Sequence, residues 1–196
     1  KPAASRMLRA LYRDVESAAE AVARLMAQPD TPSMLEFMDA TAIRLARDIG
    51  GANLPDAGAL LMIEGDGDPA RLDALMQTLA THAGGEGCLD IAIPASSDEQ
   101  AQLMAARRAL SPALRSLGSG KINEDVVVPV SRVPELVRFL EQLSRDSGLL
   151  IVCFGHIGNG NVHVNVMYDK AEATQIAIAE SCAEKLFTEV LRLGGM

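Results

Sequence analysis

The stretch FGHIGNGNVHVNV, from Phe154 to Val166, holds two of the three histidines of the chain. A turn rich in glycine and asparagine separates His156 from His163, and valine then alternates with other residues. Because side chains alternate between the two faces of a strand, the three valines are predicted to face the core and His163 the opposite side. The stretch therefore predicts two strands joined by a tight turn, with histidines on one face.

The rest of the chain alternates between segments of strand-like and helix-like apolar spacing. The predicted strands are 6–13 (with a helix start as the alternative), 33–39, 57–65, 88–94, 121–130, 148–154 and 161–168. The predicted helices are 15–28, 41–51, 70–83, 96–117, 133–147 and 170–193. This order predicts an α+β fold of ferredoxin-like split βαβ units, in which helices cover an antiparallel sheet.

Composition excludes several classes of function. The formal net charge is −8 and the isoelectric point about 4.9, which argues against a nucleic-acid partner. Three widely spaced cysteines without a C-x-x-C pair predict no disulfide framework, cysteine zinc site or iron–sulfur centre. No apolar run approaches the roughly 20 residues that span a bilayer. A cytoplasmic location is predicted, and peripheral attachment to the inner membrane through other parts of a longer protein is left open.

The histidine turn has two interpretations. Two neutral imidazoles and one carboxylate are a common ligand set for a divalent metal. The turn would bring His156 and His163 together provided that Gly158 and Gly160 adopt positive φ. Alternatively, one histidine caps the turn while the other is hydrogen-bonded in the core. The spacing alone does not decide between these interpretations.

Five motifs together resemble one known family. They are LEFMD from Leu35, LLMIEGDG from Leu60, AARRALSPAL from Ala105, KINEDVVVP from Lys121 and the histidine turn. The chain resembles the C-terminal, substrate-capping domain of FAD-linked oxidases, which include D-lactate dehydrogenases, the glycolate oxidase flavoprotein subunit and D-2-hydroxyglutarate dehydrogenase. The resemblance implies that residues 1–196 are this domain, truncated at both ends, with an FAD-binding domain expected before residue 1.

The resemblance also assigns site residues. His156 and His163 are implied as catalytic ligands of a divalent metal (zinc, manganese or iron), with a further glutamate ligand expected beyond residue 196. Substrate contacts are implied for Arg107, Ser111, Lys121 and Asn165. Without the resemblance, the position of Arg107 on a predicted helix favours a solvated charge. Glu124 and Asp125 are predicted to be a structural, solvent-facing pair. Asn159 departs from the family pattern, in which aspartate is usual.

The implied activity is oxidation of a D-2-hydroxy acid, of the D-lactate or glycolate type, to the 2-oxo acid. FAD would be bound mainly by a domain outside this chain, so the isolated fragment is expected to be inactive. The alternative is a non-catalytic ferredoxin-like module that binds a metabolite or a partner chain. The particular hydroxy acid, the electron acceptor and the oligomeric state, including a homo-oligomer, are left open.

Overall fold

A computed structural model describes residues 4–49, 51 and 53–196. The strands are β1 (Ala4–Tyr12), β2 (Met34–Asp39), β3 (Ala59–Gly67), β4 (Cys88–Ala92), β5 (Gly120–Val127), β6 (Ile151–His156) and β7 (Asn161–Tyr168). The helices are α1 (Val15–Ala27), α2 (Ala40–Asp48), α3 (Leu72–Ala83), α4 (Ser97–Leu117), α5 (Val133–Ser147) and α6 (Ala173–Arg192). Every predicted strand and helix is present, with ends that differ by a few residues. The end of the helix predicted over 41–51 includes Gly50, which lies outside the described residues.

The strands form one antiparallel sheet in the order β4-β1-β3-β2-β6-β7-β5. The first four strands in this order, with α1 and α3, are a complete split βαβ unit. The strand order β6-β7-β5, with α5 and α6, repeats most of that unit. The α+β prediction is confirmed, and pairing of β2 with β6 fuses the two units into one sheet.

The two faces of the sheet are covered unequally. Helices α1, α3, α5 and α6 pack on one face and bury the larger core, which includes the three valines of β7. Within the part of the chain that the structure describes, α2 and α4 are the helices that pack on the other face, over a smaller core that includes Met38, Leu60 and Phe154. We refer to this second face as the α2/α4 face. Its partial cover leaves room for polar side chains beside the core.

Asp39 fixes α2 to the sheet. Its Oδ1 accepts a hydrogen bond of 2.6 Å from the amide of Ala42, which caps α2, and its Oδ2 accepts one of 2.8 Å from the amide of Cys153 in β6. Burial raises the pKa of Asp39 to about 7, although the two amides oppose this shift. Burial likewise raises the pKa of the Cys153 thiol.

The histidine turn differs from its prediction in one glycine. Residues Ile157–Asn159 form a single 3₁₀ turn, and only the closing residue, Gly160, adopts a positive φ, of 77°. Gly158 lies inside the right-handed turn, so the prediction of positive φ at Gly158 is wrong. At Gly160 it is confirmed, and a Cβ there would lie 1.9 Å from the carbonyl oxygen of Val128. Asn159 stabilises the turn through a 3.2 Å hydrogen bond from the amide of Asn161.

Candidate functional site

The two histidines of the turn converge on the α2/α4 face. His163 in β7 lies opposite Phe154 in the neighbouring strand β6, and His156 ends that strand. The centroids of the two imidazoles are 5.4 Å apart, with the rings nearly perpendicular. The predicted convergence is therefore confirmed. About half of the His156 side chain is exposed, whereas His163 is more enclosed.

A carboxylate lies against Nδ1 of each histidine. Oε1 of Glu36 is 2.5 Å from Nδ1 of His156, its cross-strand partner on β2. Oδ1 of Asp125 contacts Nδ1 of His163, its cross-strand partner on β5. The His163–Asp125 contact has hydrogen-bond geometry, whereas His156 and Glu36 form a close ion-pair contact. A carboxylate beside Nδ1 favours the tautomer with its hydrogen on Nδ1, and a neutral ring in that tautomer carries its lone pair on Nε2. Asp125 is exposed, as the sequence suggested, but it orients His163 as well as facing solvent.

Glu36 is the site residue that sequence reasoning missed. It is 4% exposed, and its second oxygen, Oε2, accepts a 2.9 Å hydrogen bond from Nε of Arg107 on α4. The available signal was a carboxylate in the middle of the apolar strand β2, on the same face as Met38. Acidic residues are almost never fully buried unless they are paired, so this position predicts a partner.

Arg107 is held on two sides and is therefore not a solvated helix charge. Besides the bond from Nε to Glu36, its guanidinium carbon lies 4.4 Å from the centroid of the Phe154 ring, within cation–π range. Among the hydrogen bonds of the described residues, none involves Nη1 or Nη2 of Arg107. Those two groups form a planar fork suited to a carboxylate. The next residue, Arg108, is exposed and is not part of the site.

The other implied substrate contacts lie at different depths on the same side. Asn165 is fully buried in β7, two residues after His163. Its Nδ2 donates a long, 3.4 Å hydrogen bond to the carbonyl oxygen of Val152. Its Oδ1 has no hydrogen-bond partner among the described residues. Lys121 is exposed at the start of β5 and donates to Asn123 at 3.2 Å. It lies four residues from the partner of His163, or about 13 Å along the strand. Ser111 lies one helical turn after Arg107 and is half-buried.

The side chains around the two histidines provide part of a ligand set for the predicted metal. Residues 4–49, 51 and 53–196 contain no group of three or more His, Cys, Asp or Glu side chains that could hold a metal ion. The two imidazoles nevertheless fit as a pair of ligands, because a ligating histidine usually donates its second ring nitrogen to a carboxylate. The described residues therefore supply two neighbouring imidazoles, His156 and His163, and the metal is a proposal.

The whole sequence, residues 1–196, matches the family model for FAD linked oxidases, C-terminal domain. The chain belongs to this family. The resemblance inferred from the five motifs is thereby confirmed, and it covers the complete chain. The family implies an FAD-linked oxidoreductase as the context in which this domain works.

Relatives of this FAD-linked oxidase domain include enzymes named for hydroxy acids. The glycolate oxidase subunit GlcD of Bacillus subtilis is 28% identical over 196 residues, which are 100% of this chain and 42% of that protein. A D-lactate dehydrogenase of Archaeoglobus fulgidus is 24% identical over 172 residues, covering 84% of this chain and 35% of that protein. A D-2-hydroxyglutarate dehydrogenase of Xanthomonas citri is 32% identical over 131 residues, covering 64% and 27%. The chain thus spans less than half the length of these relatives.

Solved structures of other proteins share the fold. A p-cresol methylhydroxylase with substrate bound superimposes with a TM-score of 0.75 at 12% identity, over 100% of this chain and 45% of that one. An alkyldihydroxyacetonephosphate synthase gives a TM-score of 0.67 at 14% identity, over 100% and 40%. At these identities the likeness concerns the fold alone. No helix in the described part of the FAD-linked oxidase domain is long and apolar enough to cross a membrane.

Proposed function

We propose that this chain is the substrate-binding domain of a flavin-dependent dehydrogenase that oxidises a D-2-hydroxy acid, of the glycolate or D-lactate type, to the 2-oxo acid. One observation carries the proposal. The guanidinium of Arg107 and the imidazole of His156 contact the two oxygens of a single carboxylate, with the second histidine beside them. A cation for the substrate carboxylate and nitrogen donors for its hydroxyl therefore lie next to each other.

Arg107 would bind the carboxylate of the hydroxy acid through Nη1 and Nη2. Its two existing contacts already hold the guanidinium plane, so little side-chain entropy is lost when substrate binds. In the overall reaction the Cα–H bond breaks to give a hydride, which FAD would accept when bound, the O–H proton is released to solvent, and the carbon–oxygen bond becomes C=O. The domain described here would bind and orient the acid so that its Cα faces the flavin.

His156 and His163 would hold a divalent metal through their Nε2 atoms, with the remaining positions taken by substrate, water or other donors. The chemistry supplied there would be that of a Lewis acid, which would lower the pKa of the substrate hydroxyl. The histidines contribute orientation in either case, because Glu36 and Asp125 fix both rings. Zinc, manganese and iron all accept imidazole nitrogen, so the donor set does not choose among them.

Asn165 would bind the substrate with its free carbonyl oxygen, Oδ1, which is the strongest of the remaining implied contacts. A buried polar atom without a partner is unfavourable unless something binds it during function. Ser111 is close enough to Arg107 along α4 to contact the same carboxylate. Lys121 would act at the entrance to the site, because it is exposed and distant from the histidines.

The test uses the full-length protein and an artificial dye as electron acceptor. Glycolate, D-lactate and D-2-hydroxyglutarate are compared with L-lactate, and reduction of the dye by at least one of the first three is expected. His156→Ala and His163→Ala should each lower kcat/KM by more than about 100-fold, while His82→Ala on the distant helix α3 should not. Elemental analysis should show loss of metal in the first two variants only. Absence of dye reduction with every acid would refute the proposal and favour a non-catalytic binding module.

The role of Arg107 has a matched control in its neighbour. Arg107→Lys keeps the charge but loses the planar fork, so we expect KM for the hydroxy acid to rise by about 10- to 100-fold. Arg108→Lys, at an exposed position on the same helix, should leave KM unchanged. Equal KM values in the two variants would show that Arg107 does not bind the substrate carboxylate.

A further inference from the structure

We propose that Glu36 is a positioning residue, whose single carboxylate orients both the guanidinium of Arg107 and the imidazole of His156. The proposal concerns a residue to which neither the motifs nor the resemblance gave a role. Its consequences for turnover rest on the proposed function. The part that concerns His156, the tautomer of its ring, can be measured without any substrate.

The burial of Glu36 is the first step of the argument. Its side chain is 6% exposed in the middle of β2, between the apolar residues Leu35 and Phe37. Removing a carboxylate from water is costly unless each oxygen finds a donor. Here Oε1 lies 2.5 Å from Nδ1 of His156 and Oε2 accepts a hydrogen bond from Nε of Arg107, so each oxygen has one nitrogen partner and both partners belong to the candidate site.

The second step concerns Arg107. A guanidinium has five N–H groups in one plane, and the bond from Nε to Glu36 uses one edge of that plane. The ring of Phe154 packs against the guanidinium, which limits rotation about the long side chain. Together these contacts leave the Nη1 and Nη2 groups for a ligand. Without Glu36, Arg107 would keep its charge but lose the contact that fixes its fork.

The third step concerns His156. Because Oε1 of Glu36 lies against Nδ1 of His156, we infer that Nδ1 carries a hydrogen and that the neutral ring has its lone pair on Nε2. This is the tautomer that can bind a metal or accept a hydroxyl proton through Nε2. Glutamine at position 36 cannot reproduce the arrangement, because it has one acceptor oxygen and one NH₂ group for two donors. Either His156 changes tautomer to accept from the NH₂ group, or Arg107 faces a second donor and moves.

The decisive measurement is made on the full-length protein labelled with ¹⁵N-histidine. Long-range ¹H–¹⁵N spectra distinguish the protonated from the unprotonated ring nitrogen, and His156→Gln identifies the signals of His156. In the wild-type protein we expect Nδ1 of His156 to be protonated. A wild-type spectrum with the hydrogen on Nε2 would overturn the proposal; this result needs His156→Gln only for assignment of the signals and needs no variant at position 36.

Variants at position 36 supply the second measurement. In Glu36→Gln we expect one of two changes: either the hydrogen of His156 moves to Nε2, or KM for the hydroxy acid rises by at least tenfold. Glu36→Asp retains a carboxylate, so we expect it to keep the wild-type tautomer. Glu64→Gln, at a half-buried position on the adjacent strand β3, is the control and should change neither quantity. Unchanged tautomer and unchanged KM in Glu36→Gln would overturn the proposal.

The two proposals fail in different ways. If the wild-type protein oxidises no hydroxy acid, the proposed function is wrong, but the tautomer of His156 still decides the role of Glu36. If the wild-type protein oxidises a hydroxy acid and the Glu36→Gln variant behaves like the Glu64→Gln control, the function stands and only the positioning role is lost.

Discussion

Replacement of Gly160 by alanine tests whether the turn holds the two histidines together. Gly160 has φ of 77°, and a Cβ there would lie 1.9 Å from the carbonyl oxygen of Val128, well inside the 3.4 Å at which ordinary contact begins. Gly148 is a matched control, since it has φ of 70° but a Cβ added there would meet no atom within 4 Å. Both substitutions carry the same backbone penalty, and only Gly160→Ala adds a collision with the main chain.

The expected magnitudes follow from these contacts. A non-glycine residue in the left-handed region costs about 1–2 kcal/mol, which is the whole effect expected for Gly148→Ala. In Gly160→Ala the turn must also move away from Val128, which breaks the 3.1 Å hydrogen bond from the Val128 amide to the Gly160 carbonyl. That loss and the displaced packing raise the total to about 3–5 kcal/mol.

Calorimetry of the full-length protein measures the difference. For a domain of this size 1 kcal/mol corresponds to about 2–4 °C, so Gly148→Ala should lower Tm by about 2–8 °C and Gly160→Ala by about 6–20 °C. Because the turn positions His156 and His163, Gly160→Ala should also lower kcat by up to about 100-fold at a temperature where the variant is folded. Equal Tm losses and unchanged kcat would refute this reasoning, since the turn would then relax freely without moving the histidines.

Three further substitutions give independent tests. The folded-state pKa of Asp39, about 7, lies above its ordinary value of 3.8, so its contribution to stability is present below pH 4 and is lost as pH rises through 7. Denaturant titrations measure the free energy of unfolding of the wild-type protein minus that of Asp39→Asn, and this difference should fall by up to about 4 kcal/mol between pH 4 and 7. A difference that stays constant with pH would contradict the raised pKa of Asp39. Phe154→Leu removes the ring beside Arg107 and should raise KM for the hydroxy acid by about 2- to 30-fold, through a loss of about 0.5–2 kcal/mol, with little change in metal content; an unchanged KM would show that the ring contact is unimportant. Asn165→Leu removes an unsatisfied buried oxygen, so we expect Tm to change little while KM rises about tenfold, and a large fall in Tm with unchanged KM would indicate a purely structural role.

Much of the fold could be predicted because short-range patterns of apolar and polar residues indicate the conformation and the buried side of a segment. The valines of β7 alternate with polar side chains, and the apolar residues of α5 recur at helical spacing, so each segment indicates both its conformation and its buried face. The bounds of some helices were also predicted correctly, since the helix predicted over 133–147 is α5, Val133–Ser147. The order of these segments was enough to predict an α+β fold with an antiparallel sheet.

The site was only partly predictable because some of its residues are close in sequence and others are distant. His156 and His163 lie seven residues apart, so a single turn brings them together, and a local pattern could suggest it. Glu36 is more than a hundred residues away in sequence, and nothing local says that β2 will pair with β6. The conformation of Gly158 was predicted wrongly because several turn geometries fit the same glycine-rich sequence.

By itself, the sequence determined the order of strands and helices, the core face of β7, the family and the two strands that flank the histidine turn, because these depend on residue type and on short-range spacing. Only the tertiary structure decided which partners the buried charges of the site contact. Pairing of β2 with β6 places Glu36 opposite His156, and packing of α4 beneath the sheet brings Arg107 to the other oxygen of the same carboxylate. A buried charge is stable only where distant segments supply its partners, so its role cannot be read from its own neighbours in the chain.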